Sequence, residues 1–179
     1  LAMLLLHPNE AVGTDRLIDA LWGEHPPGGA ANALQAHVAA LRRALDPSRT
    51  RTGVDGVLAT CPPGYLLQVD DEGLDIACFE RLVAEGRDAL PDDPAAGARL
   101  LAEALALWRG PALADFVFEP FAHTEAARLE ELRLAALEDR LAANLALGYH
   151  AEVVPELEAL VAAHPLRERL AGQLMVALY

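Results

Sequence analysis

The 179-residue sequence contains no lysine, two cysteines and few aromatic residues. Its 14 basic residues are therefore all arginine, which together with the many alanines suggests a GC-rich genome. Cys61 and Cys78 are too few for a disulfide framework and lack metal-ligand spacing, so we expect neither disulfides nor a metal site. No run of about 18 uncharged apolar residues occurs. The sequence therefore predicts no transmembrane helix and no membrane partner, and we expect a cytoplasmic location.

The sequence also lacks the groupings of residues that support catalysis. Its histidines are scattered without an H-E-x-x-H pair, and Gly28-Gly29 is followed by alanines, not by the Lys-Ser/Thr of a phosphate-binding loop. Several acids interleave with arginines at helical spacing, which is typical of a solvated helix face. These acids are Glu130, Glu131, Glu138 and Asp139. We therefore expect no enzymatic activity, no catalytic residues and no cofactor.

The net charge of −13 at first argues against a nucleic-acid partner, but the charge is unevenly distributed. Residues 1–70 carry five arginines and seven acids, whereas residues 71–179 carry nine arginines and twenty acids. The stretch 32–52 is basic, with four arginines against Asp46. Because charges are screened beyond about 8 Å at physiological salt, distant acids barely oppose a local basic patch. The overall charge therefore permits DNA binding and predicts that non-specific binding is weak.

Residues 1–70 have the pattern of three helices followed by a β-hairpin. Residues 1–7 have the pattern of the last part of a helix, and the first residue already lies within that pattern. We therefore expect further sequence upstream. Thr14 is expected to cap the second helix, and the third is predicted from about Ala30 to Asp46. An apolar stripe at spacings of four, three and four supports the third helix: Leu34, Val38, Leu41 and Leu45. Two strand-like runs, 57–60 and 65–69, flank a Pro-Pro-Gly turn, and this order is that of a winged helix.

Residues 71–179 are predicted to form an all-helical domain. Asp75 and Asp93 suit helix N-termini, and Pro94 suits the first helical position after Asp93. A long helix is predicted over about 120–147, with two apolar stripes as in helices inside a stacked array. The block 134–165 fits a degenerate tetratricopeptide repeat. Residues 166–179 would begin the next repeat, so the C-terminus also looks truncated.

Several segments resemble the Streptomyces antibiotic regulatory protein family: LIDALWGEHPP, LQAHVAALRRALDP, PPGYLLQV, LDIACFERLVAEGRDAL, LALWRGPALADF and the long segment from LEELRLAALEDR to QLMVALY. The more specific markers are LWRG and HPLRE. That family joins an OmpR-type winged helix to a bacterial transcriptional activator domain. The resemblance implies a DNA-binding transcriptional activator, often of secondary-metabolite genes, that recruits RNA polymerase. It also implies strands upstream of the first helix and more helices downstream of the last.

The third helix, about 30–46, would then be the recognition helix in the major groove of double-stranded DNA. At 100° per residue, a set of polar side chains lies away from the apolar stripe or on its shoulders: Asn32, Gln35, His37, Arg42 and Arg43. Arg49 and Arg51 follow in the loop and are expected to contact phosphate. Outward arginines are more often solvated surface, and His37 suits packing as well as a phosphate contact, so both alternatives stay open.

Three positions depart from the OmpR pattern, which often has polar or basic residues there: Ala39, Ala40 and Cys61. With fewer charged contacts, we expect lower intrinsic affinity, compensated by a homodimer on DNA or by neighbouring repeats. The same departures favour an alternative function, in which the helical repeats bind a protein or small effector and the winged helix is vestigial.

Overall fold

The computed structural model describes residues 1–47, 56–70 and 73–179. These residues fall into two compact units. The first contains residues 1–73 together with 113–126, and the second contains residues 74–112 and 127–179. The predicted division at residue 70 stays a prediction.

The first unit is a small antiparallel sheet packed on short helices. The elements are α1 (Ala2–Leu5), β1 (Ala11–Gly13), α2 (Thr14–Trp22), α3 (Ala30–Leu45), β2 (Leu58–Cys61) and β3 (Gly64–Leu67). The sheet order is β1-β3-β2, so β3 is central. Tyr65 lies opposite both Val12 and Thr60. The predicted winged helix is confirmed. The short strand β1 was not predicted, because three residues are too few to show an alternating pattern.

Two residues hold β1 and the turn before it against the hairpin. Asn9 has a left-handed φ of 60°, which Asn tolerates better than most residues. Its side chain donates to the Val69 carbonyl at 2.9 Å and accepts from the Val69 N–H at 3.0 Å. Gly64 lies opposite Gly13, and a Cβ at this position would overlap the Val12 carbonyl. Only glycine therefore allows β1 and β3 to approach this closely.

The core of the first unit joins one face of each helix to the sheet. Its buried residues are Leu4, Val12, Leu17, Leu34, Val38, Leu58 and Leu67. Leu34 and Val38 are buried as predicted, but Leu45 is 37% exposed, because the core ends beside Leu41. The capping prediction for Thr14 is wrong. Its hydroxyl donates to the Pro63 carbonyl instead, at 3.1 Å, and so ties α2 to the hairpin turn.

The second unit is helical. The helices are α4 (Asp75–Ala89), α5 (Pro94–Ala106), α6 (Pro120–Ala146), α7 (His150–Ala163) and α8 (Glu168–Leu178), with a 3₁₀ turn (Ala114–Phe116) and the start of α6 lying in the first unit. Asp93 caps α5 as predicted, because its side chain accepts from the Ala96 N–H at 3.0 Å. Asp75 is itself the first residue of α4, whose N-cap is Leu74. Among the described helices, none is both long and apolar enough to cross a membrane.

A pair of glycines brings α4 and α5 close together. A Cβ on Gly97 would lie 2.9 Å from the Gly86 carbonyl oxygen and 2.5 Å from Leu90 Cδ2. A Cβ on Gly86 would lie 2.9 Å from Leu101 Cγ. At both glycines the backbone of one helix therefore lies directly against the other helix. An alanine at either position would require the neighbouring atoms to shift.

An ion-pair network joins α6 to α8 and α4. Glu138 is 3% exposed and accepts from Arg167 Nε at 2.7 Å, and Asp139 is 9% exposed and accepts from Arg87 Nε and Arg169 Nη2, both at 2.6 Å. Hydrogen bonds to Glu138 and Glu131 raise the pKa of Arg167 above its usual value. For Glu138 and Asp139, the interpretation as a solvated helix face is therefore wrong. Glu138 lies one turn from Leu134 and Leu141, so it falls within an apolar stripe.

Candidate nucleic-acid interface

Helix α3 separates its apolar and polar side chains onto opposite faces. Leu34 and Val38 point into the core of the first unit. The opposite face is exposed and carries Asn32, Gln35, Ala36, His37, Ala39, Ala40 and Arg43. Exposed amide and guanidinium groups on one helix face are the donor and acceptor groups that read base edges in a major groove.

Two of the exposed side chains, Arg43 and His37, also make contacts within the first unit. The Arg43 Nε donates to the Ala39 carbonyl one turn earlier at 3.3 Å, and the rest of the side chain is exposed. The His37 ring lies with its centroid 6.3 Å from that of Trp22, at the edge of the core. Asn32, Gln35 and Arg43 are therefore exposed polar side chains of α3 whose rings or chains do not pack at the edge of the core as His37 does.

Arg42 is placed differently from the other predicted site residues. Its side chain is half-buried and reaches the hairpin. The Nε donates to the Leu58 carbonyl at 2.9 Å, and Nη2 donates to the Thr60 hydroxyl at 2.7 Å. The guanidinium carbon also lies 5.9 Å from the centre of the Tyr65 ring. Arg42 thus joins α3 to both strands of the hairpin.

Thr60 is a residue of this site that sequence analysis missed. Its hydroxyl accepts from Arg42, but a single threonine in a strand carries no signal of that partner. The position of Arg42 was a usable signal, because it follows buried Val38 by four residues and Leu41 by one. Helical geometry places such a side chain at the edge of the apolar stripe, towards whatever element packs there.

Arg49 and Arg51 lie outside the described residues, so their predicted phosphate contacts stay predictions. Cys61, at the end of β2, is partly exposed. In the described part of the chain, no group of His, Cys, Asp and Glu side chains is arranged to hold a metal ion.

The fold of the first unit, with a polar helix face beside a hairpin, defines a winged-helix regulator. The family described as transcriptional regulatory protein, C terminal, matches residues 1–67, and the bacterial transcriptional activator domain matches residues 74–179. The chain belongs to the Streptomyces antibiotic regulatory protein family of transcriptional regulators. The predictions of family and fold class are confirmed.

Relatives in this family match almost the whole chain. It is 42% identical to the transcriptional regulator RedD of Streptomyces coelicolor, over 99% of this chain and 51% of RedD. It is 43% identical to the regulatory protein DnrI of Streptomyces peucetius, over 99% of this chain and 67% of DnrI. The chain thus spans half to two thirds of the length of these relatives.

A solved structure supports the same fold. Mycobacterium tuberculosis EmbR, in complex with a low affinity phosphopeptide, matches with a TM-score of 0.91 and 37% identity. The match covers 98% of this chain and 46% of the EmbR chain.

Proposed function

We propose that this chain binds duplex DNA in a sequence-specific manner and activates transcription. Helix α3 would enter the major groove, and the β2–β3 hairpin would contact the adjacent backbone. The observation that supports this most directly is the division of α3 into a buried apolar face and an exposed face with Asn32, Gln35 and Arg43. Membership of a family of transcriptional regulators supports the same function.

The exposed side chains suit direct readout of bases. An arginine such as Arg43 can pair with guanine through two hydrogen bonds, and Asn32 or Gln35 can pair with adenine, each pair contributing about 1–3 kcal/mol of discrimination. His37 would contact phosphate at the edge of the groove. We assign Arg49 and Arg51 to phosphate as well, from their place in the loop after α3.

The helical unit would supply the contacts that turn DNA binding into regulation. We propose that it mediates dimerisation on DNA or contact with RNA polymerase, as the family resemblance implies, in the cytoplasm. Residues 71–179 carry an excess of acids over arginines. Because this charge opposes DNA, it favours a protein partner for this half of the chain.

The double variant Arg42→Ala/Arg43→Ala tests the proposed DNA interface. We expect loss of specific binding in a mobility-shift assay with a promoter fragment, while the helical circular dichroism signal is retained. The control is Arg81→Ala/Arg99→Ala, which removes two exposed arginines from α4 and α5 and should leave binding unchanged. Full binding by the Arg42/Arg43 variant would refute the assignment of α3.

The adaptor function remains the second candidate, because exposed Ala39 and Ala40 supply no charge where a recognition helix often does. The preference for particular duplex sequences distinguishes the adaptor from the DNA-binding regulator. An adaptor with a vestigial winged helix would show no preference among duplex sequences even at low salt, whereas a regulator would.

A further inference from the structure

Adjacent arginines on α3 have different environments, although the sequence presents them as equivalent. Arg43 is exposed, and its Nε donates to the Ala39 carbonyl of its own helix at 3.3 Å. Arg42 is half-buried and donates two hydrogen bonds to β2, one to the Leu58 carbonyl at 2.9 Å and one to the Thr60 hydroxyl at 2.7 Å. The guanidinium of Arg42 is therefore already engaged before any DNA arrives.

The Leu58 carbonyl explains why a donor is needed at this position. In the described sheet β2 is an edge strand, and Leu58 is 1% exposed. The Gln68 N–H donates to the Val57 carbonyl, so in the alternating antiparallel pattern the next residue, Leu58, directs its carbonyl away from β3. A buried carbonyl without a partner is costly. Arg42 supplies the missing donor from α3.

The contact is also well suited to fixing an angle between two elements. A guanidinium is planar, so two of its N–H groups bonded to two acceptors on the same strand define both distance and orientation. The Tyr65 ring lies beside the same guanidinium on the central strand, 5.9 Å from its carbon. Arg42 thus connects α3 to the carbonyl, hydroxyl and ring of three hairpin residues.

We propose that Arg42 is a positioning residue that holds the β2–β3 hairpin at a fixed angle to α3, so that the two elements meet one DNA duplex together. The proposal rests on the proposed DNA-binding function and deepens it. In this role Arg42 acts through the hairpin, and the side chains that read bases are the exposed ones, Asn32, Gln35 and Arg43. Replacing Arg42 would weaken the hairpin's DNA contact and leave the helix contact in place.

Salt dependence separates a positioning arginine from one that binds phosphate. We compare Arg42→Met with its matched control Arg43→Met, measuring affinity for a selected duplex by fluorescence anisotropy at several salt concentrations. If Arg42 does not bind phosphate, Arg42→Met weakens binding about tenfold with the wild-type salt slope. Arg43→Met removes a cation that the proposal places against DNA, so it should lower the salt slope by about 1.

Variants at Thr60 test the same link without changing any charge. Thr60→Val removes the hydroxyl that accepts from Arg42 and should weaken binding about fivefold, since one hydrogen bond is lost. Thr60→Ser keeps the hydroxyl and should restore wild-type affinity. The double variant Thr60→Val/Arg42→Met should bind no more weakly than Arg42→Met alone, because both changes break one connection.

Hydroxyl-radical footprinting at saturating protein distinguishes positioning from general destabilisation. In Arg42→Met we expect loss of protection on the hairpin side of the site, with protection by α3 retained. Uniform weakening of the whole footprint would overturn the proposal. So would an Arg42→Met salt slope reduced as much as that of Arg43→Met.

Hydrogen exchange in the free protein gives a readout that does not depend on DNA. Amides of β2 and β3 should exchange about tenfold faster in Arg42→Met and Thr60→Val than in wild type or Arg43→Met. Unchanged exchange in the hairpin would refute the positioning role even if DNA binds. A wild-type protein that binds no duplex would instead refute the proposed function, and the exchange rates would still decide the role of Arg42.

Discussion

Glu138 is the most deeply buried charged side chain described, and its partners come from a distant part of the chain. Arg167 and Arg169 both approach its carboxylate, and Gln173 donates to its backbone carbonyl at 2.7 Å. Buried carboxylates persist only when hydrogen-bonded and paired, because desolvation penalises an isolated charge. This residue therefore sets how α8 is held against α6.

We expect Glu138→Gln to destabilise the second unit by about 3 kcal/mol, since it removes one partner of a buried ion pair. Urea unfolding followed by circular dichroism measures the change. The control is Glu152→Gln on the exposed side of α7, which should stay within about 0.5 kcal/mol of wild type. Equal stability of the two variants would contradict the buried network.

At the scale of elements, Gly86 and Gly97 let α4 and α5 pack closely in the second unit. Gly97→Ala should destabilise the chain by about 1–3 kcal/mol, because the new methyl group meets the Gly86 carbonyl and Leu90. Gly172→Ala on α8 is the matched control. Its Cβ meets nothing within 4 Å, so improved helix propensity should stabilise by up to about 1 kcal/mol. Thermal unfolding of both variants checks the opposite signs, and two shifts of the same sign would refute this packing.

The helices and the hairpin were predictable from sequence because each has a strong local pattern. Helix α3 ends within one residue of its predicted bound, and Asp93-Pro94 marks the start of α5 correctly. What failed depends on partners distant in the chain. Thr14 bonds to Pro63, 49 residues away, and Glu138 pairs with Arg167, 29 residues away. Local patterns contain no information on such partners.

The same distinction applies to the candidate site. Helical periodicity places Asn32 and Arg43 away from the apolar stripe, and the structure has both exposed. It places Gln35 and Arg42 together on one shoulder of the stripe, but Gln35 is exposed and Arg42 is half-buried. Periodicity could not predict that Arg42 bonds to β2, because this depends on the tertiary position of an edge strand. The predicted apolar stripe continued to Leu45, but the core ends earlier, which only packing decides.

At the scale of the whole molecule, the exposed face of α3 offers few positive charges. Ala39 and Ala40 are exposed and neutral, so a single site should bind with modest affinity. We expect a duplex with two direct repeats to bind more tightly per site than a duplex with one, because a dimer engages both. Titration of the full-length protein against both duplexes measures this. Equal affinity per site for the two duplexes would rule out that a dimer on neighbouring repeats compensates for weak binding at a single site.

The central claim is that the exposed face of α3 reads base sequence. The most direct measurement is selection of bound duplexes from a random pool by wild-type protein and by Gln35→Ala, followed by sequencing. The account predicts a defined motif for wild type, in which one or two positions become degenerate in the variant. No enriched motif for wild type at low salt, or an unchanged motif for Gln35→Ala together with variants of Asn32 and Arg43, would contradict it.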